Sequence, residues 1–138
     1  MRKLSILMVA ILFSIVCVAS TNVATDRVIA FLVNAHTGRQ MSADEWLTKN
    51  TRSAKAFVGF GGLDGMVRQS TARAARFGGF GSVQILDSKK DGNAYVVTAE
   101  VRFKEDHRTP ENPATGASED MVWRFRVINE GGKWMLDF

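Results

Sequence analysis

The stretch Asn93–Lys104, NAYVVTAEVRFK, decides the fold. Tyr95, Val97, Ala99, Val101 and Phe103 fall on one face, and Thr98, Glu100, Arg102 and Lys104 on the other; Ala94 and Val96 soften the start of the polar face. A period of two over this length predicts a strand with one side buried and one side wet. The alternation returns twice. Met121, Trp123, Phe125 and Val127 oppose Asp120, Arg124 and Arg126, and Trp134, Leu136 and Phe138 oppose Lys133 and Asp137. Together these stretches predict an antiparallel sheet with one strongly apolar side.

The turns between them set the strand order. Asp91-Gly92 is a strong local hairpin signal, and Asn129-Glu130-Gly131-Gly132 repeats it before the last strand. Gly78-Gly79-Phe80-Gly81 leads into a first strand expected over Ser82–Leu86, giving about four strands. Glu105–Glu119, EDHRTPENPATGASE, holds both prolines and reads as a long polar loop, a kind of connection that is usually functional or mobile. Its Asp106, His107 and Glu111 offer oxygen and nitrogen ligands without any recognisable ligand spacing, so no metal is expected.

Upstream, periodicity turns helical. Val28, Phe31, Leu32 and Ala35 recur at helical spacing within Thr25–His36, with Thr25 as the expected cap and Gly38 as the stop. Ser42-Ala43-Asp44-Glu45 has the form of a capping box opening a short helix, with Trp46 and Leu47 as its apolar contacts. A third helix is expected over Leu63–Phe77, lined by Leu63, Met66, Val67, Ser70, Ala74 and Phe77. The glycines of Phe57–Gly65 lack the Lys-Ser/Thr that a phosphate loop needs, so they read as turns or close backbone approaches and imply no nucleotide cofactor.

The chain of 138 residues suits one domain. Arg2 and Lys3 account for two of its 18 basic residues, and the remaining 16 against 14 acidic residues leave a net charge of +2. That is too small and too scattered for a nucleic-acid partner. Residues 1–20, MRKLSILMVAILFSIVCVAS, have a basic start, an apolar run and a small-residue end, the form of an export signal. The run is slightly short of the roughly 20 residues that span a bilayer, so a retained anchor is the lesser alternative. Cys17 sits where a lipidated cysteine would, yet Ser14 and Val16 depart from the lipoprotein pattern. The expected product is a domain over 21–138, exported to the periplasm or cell envelope and touching a membrane only through its first segment.

Three helices followed by a curved antiparallel sheet give an α+β, cone-like arrangement. Phe31–Gly38 (FLVNAHTG), Gly78–Leu86 (GGFGSVQIL), Asp91–Val96 (DGNAYV) and Gly131–Asp137 (GGKWMLD) resemble, in this order, the motifs of small bacterial exported domains of the nuclear transport factor two-like superfamily. The resemblance covers nearly the whole of 21–138. It implies the cone fold and a cavity beneath the sheet. In the superfamily's enzymes, such as ketosteroid isomerases and dehydratases, it would also imply an Asp or His base with Tyr or Asp donors in that cavity.

The inward set read from alternation holds no acid or base except Tyr95, whose hydroxyl titrates too high to serve alone. Glu100 and Asp120 are read as outward, within reach of Arg102, Arg124 and Arg126 across strands. His36 reads as a partner for its helix dipole. No catalytic residue is therefore assigned. The expected role is a non-enzymatic envelope interaction domain, of the kind found in the assembly factor of type IV secretion systems that shares the fold. Its candidate partner-binding residues are Arg68, Arg73 and Arg76 on the helix and Arg102, Arg124 and Arg126 on the sheet, with an envelope protein or a second copy as partner. The alternatives are a binder of a small apolar ligand, lined by Tyr95, Val97, Phe103, Trp123, Phe125 and Trp134, and an isomerase- or dehydratase-like enzyme.

Overall fold

The computed structural model describes residues 23–53, 58–105 and 121–138. Segment 1–20 with Cys17, the connection 106–120, and the candidate ligands Asp106, His107 and Glu111 lie outside the described residues, as does Asp120. Helix α1 covers 23–36. Two short helices follow, α2 (Ala43–Trp46) and α3 (Lys49–Ser53), then a 3-10 turn (Val58–Phe60) and the long α4 (Gly62–Arg76). The sheet is β1 (Phe80–Asp91), β2 (Ala94–Phe103), β3 (Val122–Glu130) and β4 (Lys133–Asp137). It is an open antiparallel meander in the order β1-β2-β3-β4.

The stretch that predicted the sheet is one of its two inner strands. β2 pairs with β1 on one side and β3 on the other, and Tyr95, Val97, Ala99, Val101 and Phe103 are all buried. Burying side chains of this size stabilises by about 1.5–3 kcal/mol each for the larger ones, so this face and its cover dominate the core. The cover is α1. Its Phe31 ring meets Phe125 of β3 edge-on at 5.6 Å, Trp46 of α2 at 5.9 Å and Phe138 at 6.2 Å. β1 carries two register shifts, at Phe80/Ser82 and Ile85/Asp87, which bend it and raise the local twist.

Both long helices stop in the same way. Gly38 (φ 75°) and Gly78 (φ 78°) take the left-handed conformation just past the helix end. Arg39 N–H then donates to Asn34 O at 3.0 Å and Gly79 N–H to Ala74 O at 2.9 Å, closing the last turns.

Several local expectations are corrected. Thr25 lies inside α1, which already runs at residue 23, so it is not the cap. Ser42 occupies the N-cap of α2 but makes no side-chain cap bond. The working cap is Thr48, whose Oγ1 accepts from Thr51 N–H at 3.2 Å and opens α3, a helix that periodicity over five residues could not reveal. β1 runs to Asp91, well past Leu86, because the hairpin keeps pairing to the turn. Phe138 is 44 % exposed, whereas Met135 is buried at 4 %. Asp137 is only half-exposed, and its carboxylate accepts from Thr48 Oγ1 at 2.6 Å and Thr51 Oγ1 at 3.1 Å. On the outer sheet face the register sets Arg124 opposite Thr98 and Arg126 opposite Val96. Arg102 pairs with Glu100 along β2 at 3.4 Å, and Arg126 with Asp91 at 2.7 Å.

Candidate functional site

A half-open cavity of about 760 Å³ lies where α4, the end of α1 and the start of β3 converge. The α4 side supplies Met66, Gln69, Ser70, Ala72, Arg73 and Arg76, followed by Phe77. His36 comes from the last turn of α1, Phe60 from the 3-10 turn, and Val122 and Trp123 from β3. The helix is held in place by Thr71 Oγ1, which donates to Ala35 O of α1 at 3.1 Å. Gly65 lets the backbone of α4 press against the carbonyl of Phe60, where a Cβ would have no room.

Two polar groups stand out in this lining. His36 is 4 % exposed and its Nδ1 lies 2.7 Å from Leu32 O, the geometry of an N–H donating to the preceding turn. Its ring sits among Phe80, Phe103 and Trp123 at 6.0–6.3 Å, with Trp123 perpendicular to it. Burial holds the imidazole below its ordinary pKa; the Leu32 carbonyl opposes that shift, and the charge of Arg73 adds to it. The ring is therefore neutral at pH 7, with Nε2 left as an acceptor. The second group is the indole of Trp123, whose Nε1 is buried without a hydrogen-bond partner among the described residues. Such an orphan donor typically costs about 1–3 kcal/mol.

The residues expected to form one aromatic cavity are dispersed. Val97 and Phe125 are 0 % exposed and Tyr95 and Phe103 nearly so, all within the filled core. Trp123 reaches the cavity, whereas Trp134 lines a separate hollow of about 330 Å³ with Val23, Arg27, Glu45 and Lys133. The candidate arginines divide as well. Arg73 and Arg76 line the cavity, Arg68 is exposed on α4, and Arg102, Arg124 and Arg126 are exposed on the sheet.

His36 is the lining residue that sequence reasoning placed elsewhere. The signal was available: His36 follows Val28 and Leu32 at four-residue steps, on the stripe that covers the core. Among the described residues no group of three or more His, Cys, Asp or Glu gathers to hold a metal. No described helix is long and apolar enough to cross a membrane.

The architecture is similar to that of a solved protein from Campylobacter jejuni described as a "putative NTF2-like transpeptidase", with a TM-score of 0.61 over 83 % of this chain and 96 % of that one. The chain has the nuclear transport factor two-like fold. At 17 % identity the likeness extends to the fold alone. No family model matches the sequence, and no curated protein matches it. In this nuclear transport factor two-like cone, the cavity lies beside the helical cover, at the end of the sheet where β3 begins.

Proposed function

We propose that the domain binds a small organic molecule in the cavity between α4, α1 and β3, and acts by holding it. The observation that carries this reading is the cavity itself. Its volume of about 760 Å³ lies within the roughly 300–1,000 Å³ of typical ligand sites, and its wall mixes apolar rings with a few polar groups. The fold is one suited to small-ligand or enzyme-like domains. Holding rather than transforming is favoured by the described lining. A neutral imidazole among aromatic rings stands beside two guanidiniums, and no described carboxylate completes an acid–base pair. The export segment expected over 1–20 would set this activity in the periplasm or envelope.

The test is binding of the neutral fluorophore N-phenyl-1-naphthylamine to protein purified from cells expressing the whole chain. Saturable enhancement is expected, and Ala72→Trp, which fills the cavity from α4, should abolish it. Enhancement absent, or unchanged in Ala72→Trp, counts against the reading.

Docking onto an envelope protein or a second copy is the other reading, drawn from the exposed Arg102, Arg124 and Arg126 together with Leu86, which is 47 % exposed. A chain that elutes as a solitary monomer and forms no crosslinks in envelope extract would remove it.

A further inference from the structure

We infer that the ligand of this cavity is an apolar molecule that presents a hydrogen-bond donor, a hydroxyl or an N–H, to Nε2 of His36. The inference rests on the ligand-binding reading above and names the chemical group that the deep end of the cavity selects.

The lining is graded by depth. His36, Met66 and Ser70 are buried and form the closed end, whereas Phe60 and Val122 stand at the rim, 43 % and 41 % exposed. Gln69, Ala72 and Arg76 are exposed as well. At the closed end the donors are already engaged. Ser70 Oγ–H points to Met66 Sδ at 3.4 Å, and His36 Nδ1–H to Leu32 O at 2.7 Å. The second bond sets the tautomer, so the other ring nitrogen can only accept. The Ser70 oxygen, its proton given to Met66, is likewise left to accept.

Nε2 is also within reach. Among the described residues no hydrogen bond engages it. The described side-chain nitrogens and oxygens that are both unpartnered and sealed off are Ser88 Oγ and Trp123 Nε1, and Nε2 of His36 is not one of them. Its opening is therefore into the cavity that the imidazole lines. A buried histidine has an ordinary role as a packed ring, and the contacts with Phe80, Phe103 and Trp123 serve that role here. Packing calls for no open nitrogen, and phenylalanine would fill the place without a polar atom to desolvate. A hydrocarbon or an ether bound at the closed end would strip Nε2 of solvent and give it no proton in return. A cation would bring its proton beside Arg73, whose charge already reaches the ring. A neutral donor meets the acceptor without either cost. Met66, Phe77, Phe60 and Val122 offer the rest of the molecule an apolar wall that runs from the closed end to the rim.

The test is displacement of bound N-phenyl-1-naphthylamine at pH 7.5 by two pairs of isomers that differ in the donor. 4-Propylphenol is set against 4-ethylanisole, and 3-methylindole against 1-methylindole. The donor of each pair should bind about five- to tenfold tighter than its isomer, the worth of one hydrogen bond to a buried acceptor. Which pair shows the larger ratio separates a hydroxyl ligand from an N–H one. Each ratio is taken within one protein, so a change in affinity for the dye, which itself carries an N–H, cancels. In His36→Phe both ratios should fall to about one, because the ring stays and the acceptor goes. The intact chain supplies a reading that needs no variant: the nitrogen NMR signal of His36 Nε2 should move upfield with 4-propylphenol and stay in place with 4-ethylanisole. Isomers that bind alike, a ratio that survives in His36→Phe, or an unmoved Nε2 signal overturns the inference and leaves the cavity a ligand site. Failure of the dye and all four probes overturns the ligand reading along with it.

Discussion

Gly65 shows how one missing side chain fixes the site. It lies inside α4, where glycine normally weakens a helix by roughly 0.5–1 kcal/mol relative to alanine. The gain lies in proximity, because the Phe60 carbonyl occupies the space a Cβ would need. Gly65→Ala should therefore lower stability by about 1–3 kcal/mol despite the better helix propensity, as overpacking does. Gly59→Ala, where nothing stands within 4 Å, should change it by less than about 0.5 kcal/mol. Urea denaturation of the two variants beside the parent checks the contrast. The glycine-rich segment Phe57–Gly65 was legible as a place of turns and close approach. Which glycine served which purpose was not, because that depends on the helix α4 meeting a turn whose position the sequence does not encode locally. His36 was misread for a related reason: its place near the helix end drew attention to the dipole and away from its place on the buried stripe.

Among the elements, α2 and α3 illustrate what a short helix leans on. Neither has enough residues to form alone, since helix nucleation is costly. α3 is organised by the end of β4. Thr48 caps it, Thr48 and Thr51 both reach the Asp137 carboxylate, and Phe138 N–H donates to Thr51 Oγ1 at 3.0 Å. Glu130 adds an acceptor for Lys49 N–H at 3.0 Å. Asp137→Ala should cost about 1–3 kcal/mol by stripping two largely buried hydroxyls of their acceptor. Thr48→Ala should cost about 1 kcal/mol as a lost cap, plus its share of the same bond. The double variant should fall short of the sum, and thermal melts of the three proteins measure that coupling. The strands were far more legible than these helices. Alternation along β2 and β3 reports burial residue by residue, and the Asp91-Gly92 and Gly131-Gly132 turns fix the register. The acidic residue at 137 was read as wet because alternation sees only which face a side chain is on, and not the hydroxyls that α3 brings beside it.

At the scale of the whole molecule, acid sensitivity should trace to one ring. Burial and the charge of Arg73 keep His36 below its ordinary pKa, so the folded chain resists a proton that the unfolded chain accepts below about 6.5. The contribution is complete above that value and is lost as pH falls from it through the lower pKa of the folded state. The urea midpoint should fall between pH 7.5 and pH 5.5, and fall less in His36→Phe, whose ring remains among Phe80, Phe103 and Trp123. An identical decline in both proteins would assign the sensitivity to other groups. The fold itself followed from three alternating stretches. The cavity did not, because alternation sorts residues by face and the hollow opens at one end of the sheet, where a helix flank, a helix terminus and a strand start meet.

The two margins of the sheet differ, and each is guarded in its own way. Along β4, Leu47 forms a parallel bridge to Leu136 and Thr48 N–H takes up the Leu136 carbonyl, so the middle of that edge is already engaged. Along β1, the two kinks and the charged run Asp87, Lys89, Lys90 and Asp91 spoil the straight, uncharged rail that a newcomer would need. Both features work against edge-to-edge growth of the meander at high concentration, the route by which open sheets pass into fibrils.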